Sequence, residues 1–252
     1  MCRRPGIGSF RRLVVDPDTL EEHLDRLAQD GWHGVAVEDL DGAGPRDVAL
    51  TFDDGYADFH AHVLPLLQRY GVRASLYLPT AYVDGRAKFL EPGPDADRRL
   101  LTWSQVRELA ESGHVEIGGH AHTHPQLDRV DPLRARAEVR LSKILLEQEL
   151  QREVTSFAYP FGYHDRRCRA DVSDAGYRRA VAVSERPVGP HDGELALPRL
   201  TIELGMDAAT LMAMLQATPA FAGRATAEAK RWLWRGIRRA RLEVAAPNPL
   251  EG

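Results

Sequence analysis

The chain has 252 residues, with 33 Lys and Arg against 37 Asp and Glu, a formal net charge of -4 and 43% hydrophobic residues. That is enough for one sizeable core, and α/β barrels of this length form single domains. A mildly acidic balance gives no reason to expect nucleic acid as a partner; two cysteines make no disulfide framework; and no apolar run approaches the roughly 20 residues of a membrane span.

In chain order, Met1 to Phe10 carries arginines but no apolar stretch of the kind a secretory signal needs, so a cytoplasmic location is expected. Asp16 to Asp30 reads as a helix, capped by Asp18 or Thr19, with Leu20, Leu24 and Leu27 on one face. Val35 and Val37 start a strand. A second strand, Val48 to Leu50, runs into Thr51-Phe52-Asp53-Asp54-Gly55-Tyr56. The segment to Tyr70 is predicted helical, with Pro65 inside it, and Ala74 to Leu78 is the next strand. Lys88 to Arg99 reads as a surface loop and Trp103 to Glu111 as a helix. Val115 to Ile117 is a strand that feeds Gly118-Gly119-His120-Ala121-His122-Thr123-His124-Pro125. Asp131 to Gln151 is a long helix whose apolar positions are Leu133, Ala137, Val139, Leu141, Ile144, Leu145 and Leu150. The strands Glu153 to Tyr159 and Arg179 to Val183 flank a short helix, Arg166 to Ala175. Leu195 to Ile202 closes the repeating part, and helix dominates from Asp207. Alternating strands and helices signify βα units around a parallel sheet.

Three stretches carry chemistry. Asp53 and Asp54 end an apolar strand, where a loop start lets both carboxylates face one pocket. Two adjacent acids suit a site in which one binds a metal and the other handles protons. An Asp-Gly turn with a solvated acid pair is the plain alternative. His120 and His124, at the i, i+4 spacing, share one face of a helical turn and can grip one ion, with His122 pointing elsewhere. In Phe157-Ala158-Tyr159-Pro160-Phe161-Gly162, proline and glycine open a loop whose backbone N–H groups can face a ligand.

In this order the three stretches resemble the polysaccharide deacetylase family, the NodB-homology carbohydrate esterases. They are similar to its T-F-D-D-G, H-x-x-x-H and F-A-Y-P-x-G motifs, and the resemblance spans Asp16 to Ile202. It implies a distorted (β/α) barrel with the active site at the C-terminal strand edge. It implies that Asp54, His120 and His124 ligate a divalent metal, most simply Zn²⁺, and that Asp53 is the general base. The N–H of Phe161 would help hold the oxyanion as acetate leaves an N-acetylated sugar or polysaccharide. The deacetylase domain is expected over residues 1–205, with 206–252 a helical extension packed on it.

Two departures stand out. Many members carry an arginine in the third motif where this chain has Ala158, and Arg199 resembles the arginine that F-A-Y-P-x-G members place later. Members with this motif often open on Tyr-His-Arg, whose histidine protonates the leaving amine. Here that position holds Arg3, which releases no proton near neutral pH. His122, His164 and His191 are the remaining candidate acids. A metal- and carbohydrate-binding relative with weak catalysis is therefore the alternative reading. A two-His, one-carboxylate iron oxygenase is a third, but it leaves Asp53 without a role. The basic stretch Lys230 to Leu242 is expected to pack Trp234 and Ile237 on the barrel rather than to lie on an anionic membrane.

Overall fold

The computed structural model describes residues 11–85, 98–189 and 191–216. Two short parallel strands, β1 (His33–Val35) and β2 (Asp47–Ala49), come first. Leu50 then hands the chain from one sheet to the next: its N–H donates to Val35 and its carbonyl accepts from Ser75. Beyond it, β3 (Thr51–Phe52) opens a six-stranded, wholly parallel sheet. The other strands follow in chain order: β4 (Ala74–Leu78), β5 (Val115–Gly119), β6 (Ser156–Ala158), β7 (Arg179–Val183) and β8 (Leu197–Arg199). The sheet curls, so Arg199 at the end of β8 meets Thr51 and Asp53 beside β3. The fold is a distorted (β/α) barrel whose first and last strands are joined by side chains.

The pleat sorts residues onto two faces. Leu76 and Leu78 of β4, Val115 and Ile117 of β5, Phe157 of β6, and Ala180 and Ala182 of β7 share one buried cluster with residues of the surrounding helices. Tyr77, Ala158, Val181 and Leu197 point the other way and pack with Val37 inside the curl. Val37 thus belongs to a 3₁₀ turn, Val37–Gly42, and not to a strand. Two glycines fit where larger residues cannot. A Cβ on Gly118 would lie 2.5 Å from the Tyr77 ring, and one on Gly119 would lie 2.2 Å from the Tyr177 hydroxyl.

Helices fill the connections: α1 (Pro17–Gln29), α2 (Leu64–Tyr70), α3 (Trp103–Glu111), α4 (Pro132–Leu150), α5 (Arg166–Asp174) and α6 (Ala208–Gln216). The α1 cap is Asp16, which accepts from the Thr19 N–H at 3.0 Å with Pro17 in the first turn; neither Asp18 nor Thr19 caps it. The helix expected to run to Tyr70 is split. Phe59–Val63 is a π-turn and α2 starts at Leu64, whose N–H reaches back to Phe59. Pro65 has no N–H to give, which loosens the ladder there. Leu211 and Met212 of α6 pack with Leu24, Leu27 and Leu66. The remainder of the extension, 217–252, with its basic stretch, lies outside the described residues, as do Arg3 and most of the loop expected at 88–99.

The long helix α4 has the expected span, and Val139 is buried and Leu150 packs on the core as read, but the rest of its buried face is shifted. Its buried residues are Ala135, Glu138, Val139, Ser142, Lys143 and Leu146, a helical stripe half of which is polar. Leu133 and Ile144, read as core-facing, are 79% and 50% exposed. Two polar members of the stripe hydrogen-bond neighbouring loops: Glu138 accepts from the N–H groups of His122 and Thr123, and Lys143 Nζ donates to the carbonyls of Val154 and Gly176.

Candidate active site

Three loops at the C-terminal ends of β3, β5 and β6 meet at one place. Four of the seven described non-glycine residues with positive φ lie in these loops: Asp54 (φ 73), Ala121 (φ 61), His124 (φ 55) and Phe161 (φ 60). Left-handed backbone disfavours side chains, and such residues gather where function needs a fixed geometry. After β3 the chain turns left-handed at Asp54 and again at Gly55, which releases both carboxylates from strand alternation. After β5, His120 and His124 are not on a helical turn. The intervening loop turns left-handed at Ala121 and His124, and that reversal brings both imidazoles to one point.

The three candidate ligands form a small triangle. His120 Nε2 and His124 Nε2 are 3.2 Å apart, and Asp54 Oδ1 lies 3.6 and 3.4 Å from them. A tetrahedral ion with bonds of about 2.1 Å has ligand–ligand edges of about 3.4 Å, so the triangle has the size of one face of such a site. Asp54 Oδ1 is buried and accepts no hydrogen bond. His120 Nδ1 lies 2.7 Å from the Ala158 carbonyl. As the donor there it leaves a lone pair on Nε2, which faces the triangle. Burial lowers the pKa of both imidazoles, that of His124 also because His120 is beside it. Burial, together with the neighbouring Asp53 charge, pushes the Asp54 carboxyl up to about 8. Neutral imidazoles, with a carboxyl that gains from a nearby cation, are the donor set a divalent ion requires.

Asp53 stands beside this triangle, its Oδ2 3.9 Å from His120 Nε2. Burial raises its pKa, but the Arg199 charge and hydrogen bonds, with the nearby histidines, outweigh that and hold it at about 2. Arg199 grips it with two parallel bonds of 2.8 Å and also reaches Thr51 Oγ1 at 3.3 Å. Ala158 is fully buried among Val37, Tyr77, Val181 and Leu197. The guanidinium beside Asp53 comes instead from Arg199 on β8. The Phe161 ring is 43% exposed and lies against His124, centroid to centroid 4.8 Å.

The other histidines lie apart. His122 Nδ1 pairs with Thr80 Oγ1 at 2.9 Å, His164 stacks on Tyr159 and His191 is exposed. Among the described residues, the polar partners of the Asp53 and Asp54 side chains are Arg199, His120 and His124. Sequence reasoning missed Glu138. Its carboxylate accepts from the N–H groups of His122 and Thr123; a charged residue within a helix read by its apolar positions alone gave no signal.

The sequence model of the family described as polysaccharide deacetylase matches residues 41–180, more than half of the chain. The chain belongs to the polysaccharide deacetylase family. Among relatives of this family member, YxkH of Bacillus subtilis is 24% identical over 217 residues, 83% of this chain and 73% of the relative. The poly-beta-1,6-N-acetyl-D-glucosamine N-deacetylase of Escherichia coli K12 is 34% identical over 120 residues, which are 44% of this chain and 18% of that protein. The structure of Streptococcus pyogenes deacetylase PplD in complex with acetate has a TM-score of 0.70 at 24% identity, covering 81% of this chain and 89% of that one. This likeness shows a shared fold.

Proposed function

We propose that this polysaccharide deacetylase is a metal-dependent hydrolase that removes the acetyl group from an N-acetylated sugar or polysaccharide. The observation that carries the reading is the Asp54–His120–His124 triangle with the Arg199-held Asp53 at its edge. The E. coli relative, named as an N-deacetylase of an N-acetylglucosamine polymer, and a chitin deacetylase of Colletotrichum lindemuthianum, 29% identical over 139 residues, support the substrate class.

Asp54, His120 and His124 would hold the ion, with Zn²⁺ the best match to two nitrogens and one oxygen. Bound there, a divalent ion acidifies a water and polarises the amide carbonyl. Asp53 accepts the proton that the attacking water gives up, as general base. Arg199 keeps that carboxylate ionised and fixes its plane through the paired bonds. The backbone N–H of Phe161 offers a fixed donor for the charge that develops on the carbonyl oxygen.

One observation favours a second reading, a metal- and carbohydrate-binding relative with weak catalysis: none of His122, His164 and His191 meets Asp53 or Asp54. Acetate release from an N-acetylated hexosamine oligomer, with added Zn²⁺ and with chelator, separates the two. Zinc-dependent release supports the hydrolase; binding of the oligomer without release supports the alternative. A cytoplasmic location belongs to the same proposal.

A further inference from the structure

The loop that carries both histidines is fixed from two sides. On the strand side, His120 N–H donates to Leu78, Thr80 N–H to Ala121 and Ala81 N–H to His122. These bonds tie the loop to the end of β4. On the other side a single carboxylate does the work. Glu138 Oε2 accepts from His122 N–H at 3.1 Å and from Thr123 N–H at 2.6 Å, and Oε1 accepts from Thr123 Oγ1 at 2.5 Å. Glu138 is 7% exposed, on the buried stripe of α4. The left-handed Ala121 turns the two N–H groups to the same side, and successive amides in such a turn form a concavity for an anion. Glu138 fills that concavity from a helix 14 residues beyond His124 in sequence.

We propose that Glu138 is the positioning residue of the metal site. It holds the loop in the left-handed conformation that brings His120 and His124 within 3.2 Å of each other, without touching an ion itself. The inference rests on the metal reading of the triangle. Two acceptor oxygens are needed because three donors converge on them. A leucine of similar size offers no acceptor, so all three donors lose their partner inside the protein. With the loop free to relax, the two imidazoles lose their common point. Partners that orient metal ligands without touching the ion typically contribute 10–100-fold to metal affinity.

The test measures Zn²⁺ affinity of the metal-stripped chain by competition with a chromophoric chelator, for wild type, Glu138→Leu and Thr123→Val, alongside the Tm of each stripped protein. The expected result is a loss of affinity of roughly 10–100-fold for Glu138→Leu and a smaller loss for Thr123→Val, which keeps both amide bonds. If Glu138→Leu does not fold, the Thr123→Val affinity decides. Variants whose Tm falls while their Zn²⁺ affinity equals that of wild type overturn the proposal and leave Glu138 a general structural residue. A wild-type chain that binds no Zn²⁺ overturns the metal reading and this inference together.

Discussion

Replacing Arg199 by methionine removes the only described cation that pairs with Asp53 and also the side-chain link between the ends of β8 and β3. The methionine fills most of the volume, so the change isolates the charge and the two 2.8 Å bonds. Breaking a buried pair by deleting one partner costs about 3–5 kcal/mol. The Asp53 side chain keeps 31% of its surface and Arg199 13%, so the low end, about 3 kcal/mol, is the expectation. For a domain of this size that is a fall in Tm of roughly 6–12 °C. The pH dependence has a definite sign. In the wild type, Asp53 is held at about 2, below its usual 3.8. It therefore contributes stability above pH 3.8 that is lost as pH falls through about 2. In the variant, burial is opposed only by two histidines whose own pKa values are lowered, and the folded pKa moves above 3.8. Stability is then lost as pH rises through that new value. The deficit of the variant should therefore grow from pH 4 to pH 7. Thermal unfolding of the chelator-treated proteins across that range measures it. A deficit that is absent, or that shrinks with rising pH, refutes the assigned role of Arg199.

Other outcomes follow from the same geometry. Because Asp54 is held up to about 8 in the metal-free chain, Zn²⁺ binding at pH 7 should release close to one proton. Calorimetry in two buffers of different ionisation enthalpy reads this directly, and zero release would contradict it. The same raised value means that affinity for zinc falls as pH falls. On α4, Leu146→Ala removes a side chain with 0% exposure and should cost about 2–5 kcal/mol. Leu133→Ala, at 79% exposure, should stay within about 0.5 kcal/mol. Equal effects in urea unfolding would return the helix to the phase read from its apolar residues. Gly119→Ala should lower Tm by overpacking against Tyr177 and Phe157, at about 1–3 kcal/mol.

The order of strands and helices was legible because apolar runs alternate with glycine and proline at turns, and the strand Arg179 to Val183 was read to the residue. The candidate site residues were legible from three motifs taken together, since an Asp-Gly turn alone is ordinary loop chemistry. Their backbone was not. The i, i+4 spacing of His120 and His124 fits a helical turn and a left-handed reversal equally well, and only the tertiary bonds to Leu78, Thr80, Ala81 and Glu138 choose the reversal. The buried face of α4 was read only in part, at Val139 and Leu150, for a related reason. Apolar periodicity assumes that the buried face is greasy, whereas Glu138, Ser142 and Lys143 are buried and two of them serve neighbouring loops. The departure from the family pattern at Ala158 was visible in sequence. The burial of that residue among Val37, Tyr77, Val181 and Leu197 was not.

The central claim is that Asp54, His120 and His124 hold a metal while Asp53 moves the proton. Asp53→Asn tests it most directly, with bound zinc per chain and acetate release measured on the same sample. The account predicts wild-type zinc content with kcat lower by about 10²–10⁴-fold, the usual contribution of a general base. An unchanged kcat at full zinc content would contradict it.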